Sequence, residues 1–539
     1  MFLPPQRVQC PRRAARVLAA AVLLAAAVAP ARAQDLELEA LPGTDAERYL
    51  RALQVAGETP VGPWSLRGFS PREMRAMLPA DSAHPWAARV RPAGDGVRLV
   101  RPRADLGWNS AFAYGQNDGA VWAGRGLTAR GSAGAAARWG VLSLRVEPVA
   151  FWTQNGAYDL MPTGTGEPFA DPVTPAGIDL PQRFGDEAYR RVDPGESLLR
   201  LDVRGVVVGV GTESQHWGPA IDQPLLLGPN AAGFAHAFVG TSAPRNVWIG
   251  RVHARLVWGR LDQSPWSLAP DSVADRFMSG FTATFQPRGM EGLELGVARF
   301  FHLPLTGRRV TLGDVLRPVE PFFKSARSGP EGEEAVPENQ LASVFARWVL
   351  PRAGAEVYGE YIRDDHNWNL RDFLLEPDHS AGYLLGASRA WRSGRSLVSA
   401  RAEWVNTQAS HLREARNQGR LYRNGSLPQG HTQRGQLLGS EAGYGGGGSV
   451  VALDVFHPGG RWSMDWTRTR VRDNWGGTAA TEQKDDAVTD VIHSLGAEAL
   501  FFRGPVDARA SLRGSWELNR QFGDDAFNLT ASVGMRIGL

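Results

Sequence analysis

The stretch "NLTASVGMRIGL" (528–539) ends the chain on an unbroken two-residue alternation. Taken back one residue, Phe527, Leu529, Ala531, Val533, Met535, Ile537 and Leu539 are apolar, whereas Asn528, Thr530, Ser532, Gly534, Arg536 and Gly538 are polar or small. Side chains on a strand point alternately to opposite faces, so the segment predicts a strand with one apolar face and one wet face. Two architectures accommodate it: the last strand of a soluble sandwich, or the closing strand of a barrel whose apolar face meets lipid.

The first residues narrow the choice. Arg7, Arg12, Arg13 and Arg16 precede the apolar run "LAAAVLLAAAVAP", and "ARA" (31–33) offers a small-residue cleavage site before Gln34. That pattern predicts a secretory signal peptide over 1–33. Cys10, the single cysteine of the chain, falls inside it, so the mature chain is expected to carry no disulfide and no cysteine metal site. Five arginines also belong to the leader, which has no acid. The formal charge of +3 therefore becomes slightly negative without it. The basic balance implies no nucleic-acid partner.

After the leader no apolar run is long enough for a membrane helix. Residues 34–104 read as a small helical segment. "TDAE" (44–47) is a capping-box pattern followed by Tyr49, Leu50 and Leu53 on one face. "SPRE" (70–73) repeats the device with proline at the first helical position, ahead of Met74, Met77 and Leu78. From 105 to 539 strands recur. "SLLRLDVRG" sets Leu199, Leu201 and Val203 against Arg200, Asp202 and Arg204. "VWIGRVHARLVW" sets Trp248, Val252, Ala254, Leu256 and Trp258 against Arg251, His253 and Arg255. "SLVSARAEW" sets Val398, Ala400, Ala402 and Trp404 against Ser399, Arg401 and Glu403. In a membrane barrel the charged face lines the lumen and tryptophans near strand ends sit at the headgroups.

Turn lengths favour the barrel. Short turns ("PRAG" 351–354, "RSGR" 392–395, "HPGGR" 457–461) alternate with long polar stretches near 154–194, 214–233, 303–339, 363–380, 407–447 and 473–488. Irregular segments of that length are uncommon in compact soluble domains. The expectation is an all-β fold: an antiparallel outer-membrane barrel of about eighteen strands, the first two over 107–115 and 120–138 and the seventh over 245–258. Both termini and the helical segment would then be periplasmic and the long loops extracellular. The last strand is expected to close the barrel and to serve the barrel-insertion machinery as a recognition signal, although it ends in Leu539 rather than an aromatic residue.

No GxSxG elbow, HExxH or P-loop occurs, and the histidines show no metal spacing, so no enzyme, cofactor or metal is expected. Several segments, however, resemble the Wzi capsule-assembly family. They are "ERYLRALQVAG" (47–57), "HPW" (84–86), "AYGQNDGAVWAGRGLT" (113–128), "HWGP" (216–219) with "LLLGPNAAG" (225–233), "EVYGEYIRDDHNW" (356–368) and "GHTQRGQLLGSEAGYG" (430–445). They span most of the mature chain in the family's order, with Ala220 where the family tends to carry glycine. The resemblance implies an eighteen-stranded barrel with a small periplasmic helical part, acting as a surface lectin that holds capsular or related exopolysaccharide to the cell.

Sugar binding calls for flat aromatic faces and planar polar groups, with arginine where the sugars are acidic. The predicted loops offer His216, Trp217 and Asp222, then His366 and Trp368, then Arg413 and Arg416, then His431 and Arg434. Each has a structural alternative. Trp217 also reads as a loop staple folded into the lumen, Trp368 as a headgroup anchor, and Arg434 as the partner of a lumenal carboxylate. Two further functions stay open: a porin or sugar-uptake channel, and an outer-membrane hydrolase. The chain is expected to be a monomer in outer-membrane lipid.

Overall fold

The computed structural model describes residues 36–37, 41–78, 84–87, 89–92, 94–320, 337–364, 370–408, 420–473 and 489–538. Among these, eighteen antiparallel strands close into a barrel. They are β1 (Gly96–Asn109), β2 (Gly126–Trp139), β3 (Leu142–Val146 and Val149–Thr153), β4 (Tyr189–Asp193 and Leu198–Val203), β5 (Val206–Gly211) and β6 (His236–Thr241 and Arg245–Val247). Next come β7 (Gly250–Leu261), β8 (Arg276–Pro287), β9 (Leu293–Pro304), β10 (Asn339–Leu350), β11 (Ala355–Asp364) and β12 (Ala381–Ser393). The last are β13 (Ser396–Asn406), β14 (Gly447–His457), β15 (Gly460–Asp473), β16 (Thr489–Arg503), β17 (Val506–Leu518) and β18 (Ala526–Ile537). The alternating C-terminal segment is the closing strand: β18 pairs with β1 from Thr530 opposite Asn109 to Arg536 opposite Arg103.

The outside of the barrel is apolar. On β5, Val206, Val208 and Val210 are exposed while Val207 is fully buried. Exposed tryptophans gather in two rings. Trp139, Trp348, Trp391 and Trp462 lie beside short turns, and Trp108, Trp152, Trp404 and Trp516 lie beside the opposite strand ends. An apolar band between two aromatic girdles is how a strand protein meets a bilayer. Among the described residues no helix is long and apolar enough to cross a membrane.

The predicted helices form. α1 (Asp45–Val55) starts at Thr44, whose hydroxyl accepts from the Glu47 amide. α2 (Pro71–Ala76) carries the full reciprocal box between Ser70 and Glu73. Tyr49, Leu50 and Leu53 of α1 are completely buried. Tyr49 stacks on Trp86 at 5.1 Å and meets Phe456 of β14 edge-on at 5.2 Å, while Trp64 leans on Phe69 at 4.7 Å. This segment fills the short-turn end of the lumen.

Three boundaries differ from expectation. β1 begins at Gly96, ahead of the barrel boundary predicted at 104/105, and 110–125 is a loop rather than strand. Pro102 lacks an N–H, and the β1–β2 register shifts between Val100 and Arg103. The outward positions change phase there, from Val97 to Leu106 and Trp108, so a single alternation does not run through the strand. Likewise 245–258 is not one strand. Arg245–Val247 ends β6 and pairs back on Gly250–Val252, which puts Trp248 in the turn.

Candidate functional site

The inward strand faces carry full charges, and the chain supplies their partners. From the short-turn end, Arg51 of α1 donates to Glu356 of β11 at 2.8 Å and to the Pro219 carbonyl at 2.8 Å. Arg347 reaches the other oxygen of Glu356 at 2.7 Å. Glu294 of β9 accepts the Trp64 and Ser65 amides at 2.8 and 2.9 Å. From the other end, loop 212–235 descends into the lumen and meets the helical segment. The Trp217 amide donates to the Leu227 carbonyl at 3.2 Å and the Gly218 amide to the Ser65 carbonyl at 2.9 Å. Glu403 of β13 accepts the Asp222 and Gln223 amides, each at 2.9 Å, and the Tyr358 hydroxyl at 2.7 Å. A buried carboxylate taking several N–H and O–H donors is satisfied without a cation.

These contacts show where the predicted site residues lie. Trp217 is fully buried, 6.3 Å from the Phe300 ring and pressed on Gly280. His216 is buried with its Nε2 donating to the Ala220 carbonyl at 3.1 Å, and burial holds its pKa well below the usual imidazole value. The same Ala220 carbonyl also accepts from Arg67. Burial alone would raise the Asp222 carboxyl, but Arg401 at 2.6 Å and Arg48 at 3.1 Å hold it low. His431 is buried and stacks on Tyr422 at 5.4 Å. Its Nε2 lies 2.6 Å from the Leu226 carbonyl, which can only accept, so its Nδ1 accepts from His302 Nε2 at 3.0 Å. Burial drives its pKa down to about 4 and keeps it neutral. Four predicted contacts therefore face the packed interior, not the open end: Trp217 is the staple of its loop, and His216, Asp222 and His431 bind protein groups. His366, Trp368, Arg413 and Arg416 lie outside the described residues.

Arg434 is placed differently. It is partly exposed, donates to Asp262 at 2.9 and 3.0 Å and to Asp193 at 2.9 Å, and so joins the end of β7 to the break within β4. The next residue, Gly435, abuts Pro181 and Ser264. The Ser264 amide donates to Asp179 at 2.6 Å, which ties loop 262–275 to loop 154–188. Beyond this joint the aromatic side chains cluster: Trp122 stacks on Phe184 at 4.2 Å and 5°, Phe184 meets Trp266 at 4.8 Å, and Tyr189 meets Phe184 at 5.3 Å. Trp122, Trp266 and Tyr189 remain partly exposed. Flat ring faces on the long-loop end form a surface that suits the C–H faces of sugars. Sequence reasoning singled out Arg434 and missed these rings. Their signal was aromatic residues spaced through "PQRFGDEAYR" (181–190) and "QSPWS" (263–267), inside polar loops.

An apolar belt with aromatic girdles, closed strands and a charged, self-filled lumen define an outer-membrane β-barrel with an internal plug. The chain belongs to the Wzi family of capsule assembly proteins: the family model "Capsule assembly protein Wzi" matches residues 106–516, from β1 to near the end of β17. Its fold is similar to Wzi of Escherichia coli, an outer-membrane protein involved in group 1 capsule assembly and described as a carbohydrate-binding β-barrel. The two are 14% identical, with 93% of this chain and 99% of that one covered, at a TM-score of 0.63. A BenF-like porin from Pseudomonas fluorescens Pf-5 is more distant, at 10% identity, 82% and 99% coverage and a TM-score of 0.42. No curated protein matches the sequence.

Proposed function

We propose that this protein binds capsular or related exopolysaccharide at the cell surface and anchors it there, without catalysing a reaction on it. The observation that carries this reading is the use of the lumen. Glu356, Glu403 and Arg401, in the middle of the lumen, are taken up by the chain's own helix and loop, leaving the loop-covered end as the working surface. Family membership supports the capsule context. We place the sugar contacts at Trp122, Trp266, Tyr189 and Arg434, the long loops outward, and both termini in the periplasm. The protein acts as a monomer in outer-membrane lipid, delivered there by the barrel-insertion machinery through β18. A channel role draws no support from a lumen packed with Trp217, Tyr422 and Phe300.

The direct test is polymer binding by the purified, detergent-folded chain. Saturable binding that falls at least tenfold in Trp266→Ala, with Trp217→Phe binding as the parent does, is expected. Binding unaffected by Trp266→Ala and Trp122→Ala together would reject this surface.

A further inference from the structure

A recess of about 420 Å³ opens at the other end of the barrel, between the start of α2 and the inward wall of β2 to β6. Small-molecule sites occupy roughly 300–1,000 Å³, so it is large enough for a ligand. Its lining includes four arginines: Arg72 from α2, Arg138 at the end of β2, Arg204 in the β4–β5 turn and Arg245 in β6. Two charges of the lining are already matched. Arg138 sits 3.6 Å from Asp95, and Asp202 accepts from Arg200 at 2.8 Å. Arg72, Arg204 and Arg245 have no hydrogen bond or ion pair within the described residues.

Arg72, Arg204 and Arg245 are exposed, yet all three unneutralised guanidinium groups line one recess, where like charges repel and raise the local positive field. The turn is built to admit one of them. Gly205 has φ of +89°, and a Cβ at that position would run into the Arg245 guanidinium. Arg138 and Asp202 point inward, and their strand neighbours Trp139, Leu201 and Val203 are the exposed, lipid-side residues.

We propose that this recess is a binding site for an oxyanion, a carboxylate or phosphate carried on a small soluble molecule such as an acidic sugar. Arg72, Arg204 and Arg245 grip it with charge-assisted hydrogen bonds, and guanidinium suits the planar carboxylate and the phosphate edge alike. The site lies at the end opposite the long loops, so it is separate from the surface polymer site. With the orientation proposed above, it faces the periplasm.

The test is calorimetric titration of the full chain in neutral detergent at low salt, with glucuronate and with inorganic phosphate as separate probes. One-to-one saturable binding of at least one probe is expected. Each of Arg72→Gln, Arg204→Gln and Arg245→Gln should weaken it about fivefold or more, and the triple variant should lose it. Gly205→Ala, which displaces Arg245, should match Arg245→Gln. The tighter probe identifies the carrier. Heat-shifted electrophoretic mobility equal to the parent's confirms that each variant is folded. No saturable binding to either probe, or an unchanged isotherm in the folded triple variant, overturns the proposal. Polymer retention by cells reads the other end of the barrel, so either reading can fail alone.

Discussion

Trp217 is the residue whose removal should most clearly release the loop that fills the lumen. Its side chain is fully buried between Phe300 and the backbone of Gly280, and its amide and that of Gly218 hold the loop to Leu227 and Ser65. Truncating a buried tryptophan to alanine costs about 3–5 kcal/mol through lost burial and a cavity. The strand β18–β1 closure does not depend on it, so the loss should show as opening of loop 212–235 rather than collapse of the barrel. At about 1.4 kcal/mol per decade, hydrogen-exchange protection of the Trp217 and Gly218 amides should fall by roughly two to three and a half orders of magnitude. A second substitution tests the contact itself. A methyl at Gly280 would come within 2.6 Å of the indole, so Gly280→Ala should cost about 1–3 kcal/mol by overpacking. In the Trp217→Ala background that penalty should vanish, a coupling of about 1–3 kcal/mol where independent sites add within roughly 0.5 kcal/mol. Additive effects, or unchanged protection in Trp217→Ala, would refute the staple.

Three more outcomes follow from the same geometry. Glu356 holds both Arg51 and Arg347, so Glu356→Ala strands two buried cations, whereas Arg51→Ala leaves Glu356 with Arg347 and Ser388. Chemical denaturation should show Glu356→Ala the worse by about 1–3 kcal/mol. Burial lifts the Glu441 carboxyl from 4.5 to about 8, so its stabilising contribution is full below pH 4.5 and is lost as pH rises through about 8. Glu441→Gln keeps the acceptor for Gln116 and Gln223, and should match the parent near pH 4 while gaining on the order of a few kcal/mol near pH 9. In planar bilayers the intact protein should show no stable porin-sized conductance; stepwise openings at rest would refute a filled lumen.

The barrel was legible because strand alternation and capping boxes are local signals. The phase of Leu529, Ala531 and Val533, the reciprocal Ser70–Glu73 pair and the tryptophans near strand ends are all written within a dozen residues. β1 was misplaced because Pro102 and its bulge reverse the phase between Val97 and Leu106. The site was legible in part. "HWGP" marks an unusual loop, but nothing local says whether that loop turns outward or folds into the lumen. That is decided by partners far along the chain: Arg401 for Asp222, Glu360 beside Gly218, Gly280 for Trp217. Arg434 pairs with carboxylates, as its structural alternative expected, but Asp193 and Asp262 could not be named as the partners from spacing alone.

The anchoring role is tested most directly by polymer retention. The gene is deleted, cells are separated from medium, and polysaccharide is assayed in each fraction. Polymer should move from cells to medium while total synthesis holds, and the parent gene should restore it. An unchanged cell-bound fraction would contradict the account.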